Sequence, residues 1–501
     1  MKICLLLQRK FAWVGHAIAT ELKEKDPATT FCAYVQSRKA EHFLRGRSDL
    51  AYTSLLVDED VHARYTNEQL DREYLSLLEK EYGEPTLWKY LLIDRTVMMR
   101  IPPQEYTFSP APLYSHEEML RLLQVKFKAI IDFLEKEKPD VLLCSVVAGM
   151  GPRILYHVAK KMGMKTYTIE HTRTRNLVTL SENYLGMTRV EKAFEELRRK
   201  KRASSKRKEA VTLLREFREK HATYAPLLAS YDALAKFKFL HPSRILASIG
   251  WLVRLTFEHV RGLHKDDYAE EHPWGLLKSR VRRKLRGLRG FSDLYDTPDW
   301  NEDFAYYQLH YEPEMATLLY APFWTNQIEV IRHISKSLPV HFKLYVREHR
   351  GMVNFRPRAF YEELKKMPSV KLLSPETELF DIVEKAKLVT VITSTIGWEA
   401  TLMGKPVITF GDVYFNRLSM VEKCAEVEKL PLLVKKQLEN FRYDEEEMLD
   451  YLSAILEESV PVDYARIWER EIDFERIRND DGLKRLVEFV HKNIARLGVK
   501  T

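Results

Sequence analysis

The residues with the clearest chemical potential follow an apolar run in the last quarter of the sequence. Residues 388–392 are apolar or β-branched, and Thr393, Ser394 and Thr395 come directly after them, before a helix-like pattern. Hydroxyl side chains cap helix N-termini, where unpaired backbone N–H groups and the helix dipole attract an anion. The pattern therefore predicts a phosphate-binding turn, with Glu399 one turn inside the helix and directed at the ribose of the same nucleotide. The alternative is that the hydroxyls only cap the helix and that Glu399 is an ordinary surface acid.

Two further strand ends carry polar residues that suit anion binding. Arg347 and His349 follow a strand predicted at residues 341–346, and His310 follows one predicted at residues 304–309. The carboxyl ends of parallel strands converge on one crevice, so we expect these side chains to meet the phosphate turn. Arg347 and His349 are predicted to bind the donor phosphate, and His310 the acceptor or a donor carboxylate. A single histidine at such a turn is more often structural.

The first half of the chain offers another group of reactive side chains, after a strand predicted at residues 165–170. Glu170 and His171 are candidate catalytic proton acceptors. Arg173 and Arg175 are candidates for binding an anionic acceptor or a donor carboxylate. The alternative for Glu170 is a local ion pair with one of these arginines.

Metal chemistry has weak support in the sequence. Asp58, Glu59 and Asp60 have the DxD spacing of metal-dependent sugar transferases, but they lie in an acidic segment that is predicted to be exposed. The four cysteines are scattered without a CxxC pair, which argues against a disulfide framework and a zinc site. We therefore expect no metal.

These candidates lie on two regions in which strands alternate with helices. Such alternation predicts βαβ units and parallel sheets. The sequence thus predicts an α/β protein of two Rossmann-like domains. The expected boundaries are 1–185 and 301–440 for these domains, 186–300 for a helical basic insertion and 441–501 for C-terminal helices.

The charge of the chain is concentrated in the insertion. The formal net charge is +8 over 501 residues, and residues 186–300 hold 26 basic and 15 acidic side chains. Basic clusters at residues 198–208 and 280–289 are interleaved with aromatic and apolar residues, which favours docking on anionic lipid. The alternatives are a solvated helical face and nucleic-acid binding. No signal peptide and no run of 18 apolar residues is apparent, so any membrane contact is expected to be peripheral.

A family resemblance joins the motifs of the second half. The stretch from about residue 303 to 415 resembles the nucleotide-sugar-binding half of capsule polysaccharide biosynthesis proteins, a family that includes bacterial transferases adding Kdo sugars to a lipid. The matching pieces are His310-Tyr311-Glu312-Pro313-Glu314, Asn326-Gln327 with Ile331, Val346-Arg347-Glu348-His349, Arg356-Pro357 with Phe360-Tyr361, and Ser394-Thr395-Ile396-Gly397-Trp398-Glu399-Ala400 through Gly404-Lys405-Pro406-Val407. The family's usual His-Pro turn is His349-Arg350 here, which leaves the donor open.

The resemblance implies a cytoplasmic glycosyltransferase of the type called GT-B, independent of metals and cofactors. Its donor would be a nucleotide-sugar, with CMP-linked sugars among the candidates, bound mainly by the C-terminal half. Its acceptor would be a glycan or glycolipid handled by the N-terminal domain, with residues 186–300 on the inner face of the cell membrane. The alternatives are a nucleotide-sugar epimerase, a polyol-phosphate transferase and, outside enzymes, a nucleic-acid-binding protein that uses the basic insertion.

Overall fold

The N-terminal half is built on a mostly parallel sheet. The structure, a computed structural model, describes residues 1–94, 97–98, 114–200, 204–221, 242–261, 273–312, 315–464, 466–470 and 473–495. The strands of this half are β1 (Lys2–Leu7), β2 (Thr30–Val35), β3 (Tyr52–Val57), β4 (Val141–Cys144), β5 (Lys165–His171) and β6 (Leu177–Ser181). They lie in the order β6-β5-β4-β1-β2-β3, and β6 alone among them runs antiparallel to its neighbour.

Helices cover both faces of this sheet, so its central strands are almost entirely apolar. The helices are α1 (Phe11–Lys25), α2 (Arg38–Arg45), α3 (Asp58–Ala63), α4 (Arg72–Tyr82), α5 (Trp88–Leu92), α6 (His116–Glu137) and α7 (Met150–Lys161). Ser115 and Glu118 form a capping box at the start of α6. The four cysteines are buried and unbridged, as the sequence predicts.

The region predicted as a basic insertion is helical wherever the structure describes it. Its helices are α8 (Thr188–Lys200), α9 (Arg207–Lys220), α10 (Pro242–Val260) and α11 (Pro273–Arg289). Lys201 and Arg202 of the first basic cluster, and Pro313 and Glu314 of the family motif, lie outside the described residues. Among the described helices, none has the length and apolar character needed to cross a bilayer.

The C-terminal half is a doubly wound α/β domain. Its strands are β7 (Phe304–Gln308), β8 (Lys343–Arg347), β9 (Val370–Leu373), β10 (Leu388–Val391), β11 (Val407–Thr409) and β12 (Val421–Lys423), all parallel in the order β12-β11-β10-β7-β8-β9. Its helices are α12 (Met315–Tyr320), α13 (Gln327–Ser337), α14 (Arg358–Lys365), α15 (Leu379–Lys385), α16 (Thr395–Leu402) and α17 (Leu430–Glu439). Strand order reverses between β7 and β10, where such folds bind ligands.

The end of the chain returns to the N-terminal half. It forms α18 (Glu445–Glu457), β13 (Val460–Pro461), a π-helical turn at Arg466–Arg470, α19 (Phe474–Arg478) and α20 (Asp481–Ala495). Strand β13 extends the first sheet beside β6, and Arg478 of α19 donates to Glu21 of α1 at 2.8 Å. The predicted fold class, two Rossmann-like α/β domains with a helical insertion and C-terminal helices, is confirmed.

Candidate functional site

A cavity of about 210 Å³, the site cavity, lies between the two halves. Its walls come from the ends of β5, β7, β8, β10 and β11, so it occupies the reversal point of the second sheet and faces the first. It is lined by Glu170, His171, Arg173, Tyr184, Leu185, Gly186, Met187, His310, Tyr311, Ala316, Tyr320, His349, Thr393, Ser394, Thr395, Asp412, Val413, Tyr414 and Phe415. Eight of the eleven side chains predicted from the sequence therefore lie around one space.

The phosphate turn has the predicted construction. The Ser394 side chain caps α16 by accepting the N–H of Ile396 at 3.3 Å, and α16 begins at Thr395. The Thr393 hydroxyl is buried and has no hydrogen-bond partner in the described part of the chain. A helix N-terminus, a cap and an unsatisfied hydroxyl at one cavity wall are the donor set that a phosphate or carboxylate needs.

Two histidines at the ends of neighbouring strands line the same cavity as this turn. His310 follows β7 and its Nε2 accepts the Thr393 N–H at 3.4 Å. His349 follows β8 and its Nδ1 accepts the N–H of Gly351 at 3.1 Å, so in the neutral ring Nε2 carries the proton. The Tyr311 ring stands edge-on to His349, with 5.8 Å between ring centroids. His349 is thereby set up to donate a hydrogen bond to an oxyanion in the site cavity.

A buried arginine ties these strand ends together. Arg356 and Glu348 are 0% exposed, and one guanidinium nitrogen of Arg356 contacts Glu348. The other nitrogen donates to the His310 carbonyl at 2.7 Å and to Glu312 at 2.9 Å. The network fixes the turns after β7 and β8 relative to each other, which preorganises one wall of the site cavity.

Two predicted donor-binding residues stand behind that wall. Arg347 is 3% exposed and donates to the Gln308 side chain at 3.3 Å and to the Pro375 carbonyl at 2.8 Å. Glu399 is 6% exposed on the inner side of α16, and burial raises its pKa to about 8. Neither side chain lines the site cavity. The alternative of an ordinary surface acid is wrong for Glu399, because its carboxyl is buried and one oxygen lacks a hydrogen-bond partner in the described structure. The predicted ribose contact stays a prediction.

The N-terminal wall brings Glu170, His171 and Arg173 to the site cavity at the end of β5. Burial raises the pKa of Glu170 to about 8, and the positive charge of Arg173 partly offsets that effect. Burial and then Arg173 lower the pKa of His171 to about 3. His171 is therefore neutral near pH 7, and Glu170 is the stronger base of the pair.

Arg175 points elsewhere. Its guanidinium pairs with Glu216 of α9 at 2.5 Å, and it does not line the site cavity. Its neighbour Arg173 has a positive φ of 56°, and this kink turns the chain between the two arginines. Only one of the two arginines thus faces the candidate site.

Sequence reasoning missed several residues that line the site cavity. The Tyr320 hydroxyl donates to the Tyr184 carbonyl at 3.2 Å and so joins the two halves. The Tyr414 hydroxyl is buried without a partner in the described residues, and burial raises its pKa. Asp412 follows β11 and would have been found by the strand-end rule; the tyrosines carry no local signal, because only the fold brings them to the site cavity.

Side chains of the DxD segment contact other side chains within the protein. Asp58 is 0% exposed and contacts Tyr34 and Lys126, and Asp60 pairs with Arg38 at 2.7 Å. The expectation that the segment is exposed is therefore wrong for Asp58, whose carboxylate is neutralised by a buried lysine. No group of three or more potential metal ligands lies together in the described ranges.

The first basic cluster also has internal partners. Arg207 pairs with Glu446 and Asp450 of α18, and Arg198 approaches Asp444 at 3.5 Å. Helices α8 and α9 pack on α18, so these two arginines of the cluster have acidic partners within the protein.

One segment of the chain is similar to a known protein family. Residues 328–422 match the family described as capsule polysaccharide biosynthesis protein. No curated protein matches the sequence.

Solved structures that match this chain include two kinds of enzyme. The beta Kdo 2,7 transferase KpsC of Thermosulfurimonas dismutans is 12% identical, with a TM-score of 0.33 over 81% of this chain and 96% of that one. The beta Kdo 2,4 transferase of the same organism is 12% identical, with a TM-score of 0.35 over 66% and 83%. UDP-GlcNAc 2-epimerase from Neisseria meningitidis, bound to UDP-GlcNAc, is 12% identical, with a TM-score of 0.27 over 98% and 100%. Similarities this low say nothing about the activity of this chain.

The matched segment contains β8, β9, β10, β11 and the phosphate turn, and so supplies most of the C-terminal wall of the site cavity. Residues 328–422 match the family described as capsule polysaccharide biosynthesis protein, which confirms for this segment the resemblance carried by its motifs.

Proposed function

We propose that the protein is a GT-B glycosyltransferase that transfers a sugar from a nucleotide-sugar to a glycan or lipid-linked acceptor in surface or capsular polysaccharide biosynthesis. The observation that supports the proposal is the site cavity, where the N-terminus of α16 with its hydroxyl side chains and the carboxyl of Glu170 line the same space. A CMP-linked sugar is one candidate donor.

In this proposal the C-terminal half holds the donor. The phosphate oxygens lie against Thr393, Ser394 and Thr395, and His349 donates through Nε2. As the bond between the anomeric carbon and the phosphate oxygen breaks, negative charge grows on that oxygen. The helix dipole and the hydroxyl donors are already oriented to stabilise it.

The N-terminal half supplies the base. Glu170 removes the proton from an acceptor hydroxyl, and the resulting oxygen nucleophile forms the new bond to the anomeric carbon. Glu170 ends protonated, and the nucleotide leaves with the bonding electron pair. Arg173 lies beside Glu170 and stabilises its ionised form, in agreement with the direction in which it moves the pKa.

The chemistry assigned to these residues needs no metal. We therefore propose that the leaving group is stabilised by α16 and its hydroxyls, and that chelation of divalent ions with EDTA leaves the transfer rate unchanged. A rate that falls on chelation and returns with Mg²⁺ or Mn²⁺ contradicts this part of the proposal.

The protein is proposed to work in the cytoplasm, at the inner face of the cell membrane. The α10–α11 hairpin combines basic side chains with exposed apolar ones, such as Leu246 at 69% and Val253 at 64% exposure. Such a surface suits an anionic bilayer on which a lipid-linked acceptor resides. Sedimentation with anionic vesicles, and its loss at high salt, tests the location.

The decisive experiment is a thermal-shift screen with CMP, CDP, UDP and GDP. A nucleotide that binds the native state raises the unfolding midpoint in proportion to the logarithm of its concentration over Kd. We expect at least one to do so, and Ser394→Ala or Thr395→Val to reduce the shift. Ser115→Ala is the matched control, because it also removes a helix N-cap but lies at α6, outside the site cavity.

An unchanged shift in both α16 variants refutes the site assignment. Incubation of a labelled nucleotide-sugar without acceptor separates the alternatives: an epimerase converts it to an isomer, whereas a transferase leaves it intact or slowly hydrolyses it. Release of CMP with transfer of a phosphorylated polyol would instead identify a polyol-phosphate transferase. Retention of labelled RNA or DNA on a filter at physiological salt would favour the nucleic-acid alternative.

A further inference from the structure

Tyr414 is a polar residue of the site cavity that has no role in the proposed mechanism. It begins a short 3₁₀ turn (Tyr414–Arg417) after β11, and it lines the site cavity together with the phosphate turn. Its hydroxyl is buried and has no hydrogen-bond partner in the described part of the chain. A buried hydroxyl without a partner costs free energy, and a ligand in the cavity would supply the missing partner.

Contacts on several sides hold Tyr414 in place. The Tyr451 hydroxyl of α18 donates to the Tyr414 carbonyl at 2.9 Å. The Trp398 ring, which is 1% exposed, stands edge-on to the Tyr414 ring with 5.5 Å between centroids, and the Phe415 ring does the same at 5.2 Å. The side chain is therefore positioned before a ligand arrives, so a hydrogen bond to its hydroxyl loses little conformational entropy.

The electrostatic surroundings of Tyr414 link it to both halves of the protein. Burial raises the pKa of its hydroxyl, and Tyr451 adds to this effect. Of the charged side chains that act on the same hydroxyl, Arg173 of the N-terminal half lowers the pKa and Glu399 of α16 raises it. Tyr414 thus lies close to both walls of the site cavity, on the side of the phosphate turn that faces the N-terminal half.

The proposed reaction determines which part of the donor lies in this place. The anomeric carbon has to reach the phosphate oxygen held at α16 and the acceptor oxygen activated by Glu170, so the transferred sugar lies between the two walls. The nucleoside extends from the other side of the phosphate. A hydroxyl between the walls therefore meets the sugar and not the base or the ribose.

We propose that Tyr414 is a specificity-determining residue whose hydroxyl donates a hydrogen bond to an oxygen atom of the transferred sugar. The inference rests on the proposed transferase function and adds that the protein selects its donor by the sugar as well as by the nucleotide. A donor without an oxygen at this position leaves the hydroxyl buried and unpaired, and it is rejected for that reason.

Tyr414→Phe tests the inference because it removes the hydroxyl and keeps the ring. Titration calorimetry on the whole protein compares CMP, UDP and GDP with CMP-N-acetylneuraminic acid, UDP-N-acetylglucosamine and GDP-mannose. We expect at least one nucleotide-sugar to bind more tightly than its nucleotide. Tyr414→Phe should weaken binding of that nucleotide-sugar by about three- to tenfold and leave binding of the free nucleotide unchanged.

Tyr443→Phe is the matched control. It removes the same hydroxyl from a partly buried tyrosine that lies beside Gly404, beyond the C-terminal end of α16, and does not line the site cavity. Its affinities for the nucleotides and the nucleotide-sugars should match those of the unmodified protein.

Thermal unfolding without any ligand gives a second measurement. Since the Tyr414 hydroxyl has no partner in the described residues, Tyr414→Phe should leave the unfolding midpoint unchanged or raise it. A lowered midpoint would mean that the hydroxyl is bonded within the protein, and it overturns the inference whether or not a nucleotide binds.

Three binding results also overturn the inference: equal loss of affinity for nucleotide and nucleotide-sugar in Tyr414→Phe, no loss for either, or no nucleotide-sugar that binds more tightly than its nucleotide. The proposed function fails in a different way. If none of the nucleotides binds the unmodified protein, the proposed function is wrong and the inference falls with it. If they bind but Tyr414→Phe and Tyr443→Phe behave alike, only the inference is wrong.

Discussion

Glu170 allows the proposed mechanism to be tested through the pH dependence of the reaction. Burial raises its pKa to about 8, so about a tenth of the enzyme has the ionised base at pH 7 and about half at pH 8. Transfer measured as kcat/KM is therefore expected to rise about tenfold per pH unit at low pH, about fivefold between pH 7 and 8, and to level above pH 8. His171, with a pKa of about 3, contributes no further step between pH 5 and 8.

The substitution Glu170→Gln removes the base and keeps the size of the side chain. General bases contribute about 10²–10⁴-fold to a rate, so we expect a loss in that range, with a residual rate that no longer depends on pH near 8. The assay is the initial rate of product formation with the nucleotide-sugar identified by the thermal-shift screen. Nucleotide binding should be unchanged, since the phosphate turn belongs to the other half.

Arg175→Gln is the control for this experiment, because it removes a neighbouring charge that pairs with Glu216 away from the site cavity. Its rate and pH profile should match those of the unmodified protein. A profile that is flat from pH 6 to pH 9, or a Glu170→Gln enzyme that keeps more than about a tenth of the rate, refutes Glu170 as the base.

Three further predictions concern the framework of the site. Glu399→Gln is expected to leave the free energy of unfolding unchanged below pH 4.5 and to raise it progressively towards pH 8, by at most about 5 kcal/mol. The reason is that Glu399 of the unmodified chain must take up a proton when the chain folds between these pH values. A difference in thermal midpoint that does not depend on pH contradicts this. Gly397→Ala places a Cβ 2.7 Å and 2.9 Å from two apolar side chains and should lower the free energy of unfolding in denaturant by about 1–3 kcal/mol. Gly250→Ala is the control, because its Cβ would lie in open space and should not destabilise the protein. Equal effects of the two substitutions would show that crowding is not the cause. Arg356→Met leaves the buried carboxylate of Glu348 without its cationic partner and should lower the free energy of unfolding by about 3–5 kcal/mol. Retained stability together with full nucleotide binding would show that the network does not hold the turns.

Local sequence patterns were sufficient for most of the framework. The alternation of short apolar runs with helical patterns predicts the two sheets, and β5, β7 and β8 lie within about two residues of the strands predicted at 165–170, 304–309 and 341–346. Strand β3 was missed because its side chains are half exposed and lack a clear alternation, and β13 because two residues carry no pattern. The cap at Ser394 was predicted correctly because capping depends on consecutive residues.

The direction of side chains was decided by the fold. Arg347 and Glu399 have the right types and spacing for donor binding, yet the one donates to Gln308 and Pro375 and the other is buried in the inner side of α16. The same holds for charge. The sequence predicts the basic cluster that includes Arg207 as a surface for outside partners, whereas the structure pairs Arg207 with two acidic residues of α18.

The sequence by itself determined which strand ends have side chains capable of binding or catalysis, because hydroxyls, histidines and carboxyls after apolar runs are local patterns. Tertiary structure decided which of them share one cavity, because strand order and the docking of the two halves depend on contacts between residues far apart in the chain. That docking places Tyr320 and Tyr414 at the site cavity, and burial in the folded chain raises the pKa of Glu170. Burial and separation in space are properties of the folded chain, and no short stretch of sequence contains them.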